Sequence, residues 1–142
     1  MYTVAIINKK VSIVRSIIIA TLMNALVLSF LGCSRPQMSL IKETPPSFQL
    51  SGTNRVSLFQ VSSESGILWK IYPKKNDLSL GQLGIIKYGQ VPSSCYQAVP
   101  EDSALPPPLV EGETYYAVAI IFDSDAIRTH FTIKDGKIVE LR

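Results

Sequence analysis

The residues able to do chemistry are few, and the two cysteines come first. Thiolate sulfur is the strongest nucleophile among the side chains, and its thioether products are stable. Cys33 closes an uncharged apolar run, whereas Cys95 lies in Val91-Pro92-Ser93-Ser94-Cys95-Tyr96-Gln97 with no neighbouring His or Lys to activate it. Cys95 therefore reads as a small buried hydrophobe, not as a catalytic thiol. His130 is the single histidine. It alternates with Arg128 and Thr132 along a strand pattern, so a solvated side chain is expected, and a lone histidine without clustered Cys or carboxylates makes no zinc site. A Ser-His-Asp triad would have to use His130, yet no Gly-x-Ser-x-Gly elbow presents a serine. Asp123-Ser124-Asp125 begins like a calcium loop, but Arg128 and Lys134 stand at its sixth and twelfth positions, where glycine and glutamate are required. Glu101, Asp102, Glu111 and Glu113 fall in loops, where a facing pair could do glycoside chemistry but where acids ordinarily serve solubility. Neither a phosphate loop nor a dinucleotide glycine pattern is present. The expectation is a protein that is not an enzyme and needs no metal or diffusible cofactor.

The elements that carry these residues follow from length and composition. The chain has 142 residues, of which 46% are hydrophobic and 18% charged, enough for one folded domain with a targeting segment. Of its 14 Lys and Arg, three (Lys9, Lys10 and Arg15) fall in the first sixteen residues, which hold no acid, and the other 11 balance the 11 acids. With the basicity confined to the first residues, no stripe tracks a phosphate backbone, and nucleic-acid binding is not expected. After the cationic start, residues 16–34 are uncharged. Cations that stay at the anionic cytoplasmic face, followed by an apolar run that enters hydrocarbon as a helix, form the signal-peptide pattern.

The end of that run, Phe30-Leu31-Gly32-Cys33, resembles the lipobox of bacterial lipoproteins. The resemblance implies a diacylglycerol thioether on Cys33, cleavage between Gly32 and Cys33, and acylation of the new amino terminus. Several acyl chains anchor far better than one, because each buried methylene adds about 0.8 kcal/mol. Ser34, which is not aspartate, implies by resemblance to sorted lipoproteins an outer-membrane address facing the periplasm. Three other readings stay open: an uncleaved helix, since residues 16–34 are long enough to span a bilayer; Cys33 as a passenger beside an ordinary cleavage site; and a disulfide to Cys95.

Behind the leader, Ser, Pro and polar residues over 33–47 predict a lipidated cysteine and a semi-extended tether, giving three parts: 1–32, 33–47 and a domain over 48–142. The domain alternates strand-forming stretches with turn signals. Arg55-Val56-Ser57-Leu58-Phe59-Gln60-Val61 alternates, and Ile67, Trp69 and Ile71 share one face of the next stretch. Residues 83–89 form a weaker strand candidate, and residues 92–108 a proline-dense crossing. Residues 114–122 are apolar on both faces and predict a central strand. Ile127, Phe131 and Ile133 line one face of the following strand, and the Asp135-Gly136 turn sets Ile133 opposite Ile138. No window of ten residues behind Cys33 has helical periodicity. The fold class predicted is all-β, a sandwich of about seven strands preceded by a hydrophobic signal helix.

Leu109, Gly112 and Tyr115 are spaced three apart, and Trp69 lies upstream. This pattern resembles the loop and penultimate strand of fibronectin type III and related immunoglobulin-like domains. The resemblance implies that the Tyr115 hydroxyl pins a corner of the sandwich and that Trp69 fills its core. Taken whole, the chain resembles small lipoproteins of Gram-negative bacteria. That likeness implies a membrane-anchored, non-catalytic binding or structural module with a protein partner in the envelope. The alternatives are a bitopic inner-membrane protein with a periplasmic sandwich, or a small envelope hydrolase using loop carboxylates. If several of Tyr72, Tyr88, Tyr96, Tyr115, Tyr116 and Phe122 line one outer sheet face, they would form a docking patch.

Overall fold

Among the described residues, short stretches rich in β-branched and aromatic residues, divided by Gly, Pro, Ser and Asp, fold as nine strands and one helical turn. The computed structural model describes residues 35–101 and 104–141. In chain order the strands are β1 (Gln37–Ile41), β2 (Ser47–Ser51), β3 (Val56–Ser63), β4 (Gly66–Pro73), β5 (Ile85–Lys87), β6 (Cys95–Val99), β7 (Thr114–Ile121), β8 (Ile127–Lys134) and β9 (Lys137–Leu141), with the helical turn α1 (Leu80–Leu83) before β5. They form two antiparallel sheets, one ordered β1-β2-β5 and the other β6-β4-β3-β7-β8-β9. The fold is all-β and sandwich-like.

Aromatic rings join the two sheets. Phe48 of β2 lies 5.2 Å from Phe59 of β3 and 5.8 Å from Phe131 of β8. Phe59 meets Trp69 edge-on at 6.0 Å, Trp69 meets Tyr88 at 5.7 Å, and Phe131 meets Tyr115 at 5.4 Å. All six rings are buried. Such pairs add about 0.5–1.5 kcal/mol each beyond the area they bury, so this chain of rings is the main tie between the layers.

The strongest sequence patterns fold as expected. β7 lies between β3 and β8, as its two apolar faces require. The turn after β8 has Asp135 at φ 51° and Gly136 at φ 68°, and Ile133 faces Ile138. Two positive φ angles in succession match the turn twist to the strand twist, which is why Asp-Gly is favoured there.

Four readings need correction. The segment taken as a tether contains β1, whose Met38 and Leu40 pack against the core. Their two-residue spacing is a strand signal that Pro36, Pro45 and Pro46 on either side outweighed. The described residues hold nine strands, because β6 and β9 extend the larger sheet at its two edges. β6 lies inside the proline-dense crossing, on a sheet edge where flanking prolines remove no ladder bond. Finally, Ile67 does not share the buried face of Trp69 and Ile71: it is 42% exposed. Val61 faces Trp69 and Ser62 faces Ile67, leaving Leu68 as the extra residue of a bulge. One inserted residue reverses the alternation, so Leu68 packs inward in its place.

The sandwich has two distinct ends. At one, the chain enters through Pro36, and α1 closes the gap between sheets: Gly81 N–H donates to Gly52 O, and Leu80 N–H to Asn54 O. Ser79 caps α1 reciprocally with Gln82. At the other end lie the β1–β2 and β8–β9 turns, where Tyr88 N–H donates to Pro46 O and Gly112 N–H to Ile133 O.

Candidate functional site

Tyr115 lies at the far end, at the start of β7. It is buried on β7, and its hydroxyl lies 2.6 Å from the Val110 amide, which donates to it. The hydroxyl is also 3.2 Å from Val110 O and 3.1 Å from a Glu113 carboxylate oxygen. Gly112, at φ 84°, lets the chain turn between these contacts. Leu109 packs on the core just ahead of them. Leu109, Gly112 and Tyr115 are thus brought together in one corner. Burial, more than the Glu113 carboxylate, pushes the Tyr115 phenol up, while the Val110 bond opposes that shift.

The corner holds one wall of an apolar cleft of about 410 Å³. Pro46 comes to it from the β1–β2 turn, Tyr88 from the end of β5, Leu105 and Pro106 from the crossing, and Ile133 and Ile138 from the last hairpin. Leu105 is 83% exposed beside it. The Tyr88 hydroxyl donates to Pro107 O at 2.8 Å, which fastens the proline segment across the mouth. Burial, with Tyr115 nearby, pushes the Tyr88 phenol up to about 12, so it stays neutral and serves as a fixed donor. Among the described residues the lining holds no charged side chain. An uncharged concavity with its one buried phenol already engaged is suited to holding apolar groups, not to transferring protons.

Gln97 ties the same crossing to the core. Its Oε1 accepts from the buried Trp69 indole N–H at 2.8 Å, and its Nε2 donates to Pro100 O and Ala104 O, both at 2.8 Å. Gln97 is not a candidate from sequence, and Tyr88 is one only as part of an outer-face patch, whereas it is buried. For Gln97 the available signal was its two-residue spacing from Cys95, which sets both side chains inward.

The remaining candidates are dispersed. Trp69 is fully buried on β4, two strands from β7. Cys95 is a buried free thiol whose pKa is raised by desolvation, against smaller opposing effects of Ser94 and Lys74. A raised thiol pKa opposes nucleophilic use. His130 is half-buried on the outer sheet face, 4.8 Å from the Tyr116 ring. Tyr72 and Tyr96 stack at 5.6 Å on that face, and Phe122 lies under the Arg55 guanidinium at 5.3 Å. These aromatic groups stand as separate pairs, while Tyr88 and Tyr115 face inward. Glu111 accepts from the Asp135 amide at 2.7 Å, and Glu113 is engaged with Tyr115, so both loop acids hold turns in place. No group of three His, Cys, Asp or Glu among the described residues is placed to hold a metal ion. Gly32, Cys33 and Asp102 lie outside the described residues.

Compared with protein families, curated proteins and solved structures, the chain matches none.

Proposed function

We propose that this chain is a lipid-anchored, non-catalytic binding module of the bacterial cell envelope. It is held by acyl chains on Cys33 at the periplasmic face of the outer membrane and engages a protein partner. The observation that carries the reading is the leader: Lys9, Lys10 and Arg15, then an uncharged run, then Gly32-Cys33. The sandwich is of the fibronectin type III or immunoglobulin-like kind. Two features support this. The pairings β1-β2-β5 and β4-β3-β7-β8 follow the order of A, B, E and of C′, C, F, G strands in such domains, with β6 and β9 as edge additions. The Tyr115 hydroxyl returns to the backbone five residues upstream, as a tyrosine corner does. A binding role is supported by the apolar cleft at the far end.

Substituting Cys33→Ala tests the anchor. The expected outcome is an intact fold that leaves the membrane fraction for the soluble periplasmic fraction, checked by fractionation in high salt. Retention of the variant in the membrane pellet would favour the second reading, an uncleaved helix over residues 16–34, which are long enough to span a bilayer.

A further inference from the structure

The position of Pro36 bears on how an anchored sandwich would stand. Pro36 is seated on the body of the domain: a Cβ added at Gly52 would meet the Pro36 Cα at 3.1 Å and Leu80 Cδ1 at 3.4 Å. Gly52, at φ 130°, is the residue that permits this close approach. Only Arg35 and Ser34 separate Pro36 from Cys33. Three residue steps span at most about 11 Å, even fully extended. The tether foreseen from sequence is thereby reduced to a stub.

From this we infer that the end of the sandwich bearing α1 and the loop at Ser124 sits on the lipid headgroups, with the apolar cleft pointing away from the membrane. The inference rests on the lipid anchor proposed above. Acyl chains on Cys33 hold its sulfur at the bilayer surface, and the stub leaves the entry end no room to leave the headgroup layer. The eight-residue strands β3 and β7 run from that end to the other. At about 3.3 Å per residue they carry the cleft roughly 26 Å outward. The entry end suits an interface. Ile85 beside α1 is 59% exposed, and Phe122 is 39% exposed beneath the Arg55 guanidinium. An apolar ring under a cation is the arrangement that places carbon in the interface and charge among phosphates. Lys74 and Lys75 flank this end, along with Asp77, Asp123 and Asp125, and Arg55 pairs Asp123 at 3.3 Å. Arg35 next to Pro36 and Arg128 beside it leave a small cationic excess at this end, which acts in the same direction as the short covalent link.

The test uses the full-length protein, purified from membranes and reconstituted into phosphatidylethanolamine vesicles containing phosphatidylglycerol. A fluorophore is attached at Ser124→Cys on the entry end or at Glu64→Cys on the β3–β4 hairpin at the far end. Wild-type protein, with Cys95 only 3% exposed, serves as the unlabelled control. With a nitroxide on the lipid headgroup, the Ser124→Cys probe should lose most of its emission and the Glu64→Cys probe almost none. Inserting ten Gly/Ser residues between Arg35 and Pro36 adds about 17 Å of mean span and should relieve the quenching at Ser124→Cys. Equal quenching at both sites, or quenching unchanged by the insertion, overturns the orientation. Intact mass of the same sample separates the two claims. An acylated chain with equal quenching removes the orientation alone, whereas a chain without acyl groups removes the anchor on which it rests.

Discussion

At the scale of single residues, the phenols of the far end carry the clearest energetic roles. Tyr115 is buried, and its hydroxyl is the partner of the Val110 amide. Replacing it by Phe keeps the ring against Phe131 but leaves that amide unpaired, and a lost buried partner costs about 1–3 kcal/mol. Tyr115→Phe is therefore expected to lower stability by about that much in urea unfolding, with little change in the circular dichroism of the native state. Tyr88 adds a pH dependence. Its folded pKa is raised from 10.0 to about 12 by burial first and Tyr115 second. A raised folded pKa means that the unfolded chain ionises first as pH rises. The stabilisation is complete below pH 10 and is lost between pH 10 and about 12. Denaturant titrations across that window should show a loss that is shallower in Tyr88→Phe than in the wild type.

At the scale of elements, what was legible in the sequence depended on how many neighbours agreed with each residue. β7 was legible because both of its faces are apolar, and β8–β9 because Asp135-Gly136 fixes a turn and the turn fixes the register. The Leu109, Gly112 and Tyr115 spacing was legible too, since it encodes a local loop. β1 was hidden by the prolines around it, and β6 by its shortness and by an inward glutamine whose role depends on Trp69, 28 residues away. The bulge in β4 could not be read, because an inserted residue follows from strand pairing and not from local composition. It makes a testable contrast. Leu68→Ala removes contacts with the core and should destabilise by about 1–2 kcal/mol, whereas Ile67→Thr, at an exposed position, should stay within about 0.5 kcal/mol. Thermal melts of the two variants check this, and the reverse order would contradict the observed register.

At the scale of the whole molecule, two bodies of observation meet. In the proposed reading the leader specifies an address, and the sandwich supplies a shape with an apolar cleft at the end opposite the chain entry. The cleft was not legible in the sequence, because its walls come from four separate segments that only the sheet pairing gathers. The proposed function assigns partner choice to that cleft and membrane attachment to Cys33, so changes at one should spare the other. Cys33→Ala is expected to alter location without altering unfolding, while Tyr115→Phe alters unfolding without altering location.

Intact mass spectrometry of the wild-type protein extracted from membranes addresses the central claim most directly. A chain that starts at Cys33, lacks residues 1–32 and carries the added mass of acyl groups is the predicted result. A chain that still starts at Met1 and carries no lipid would contradict it.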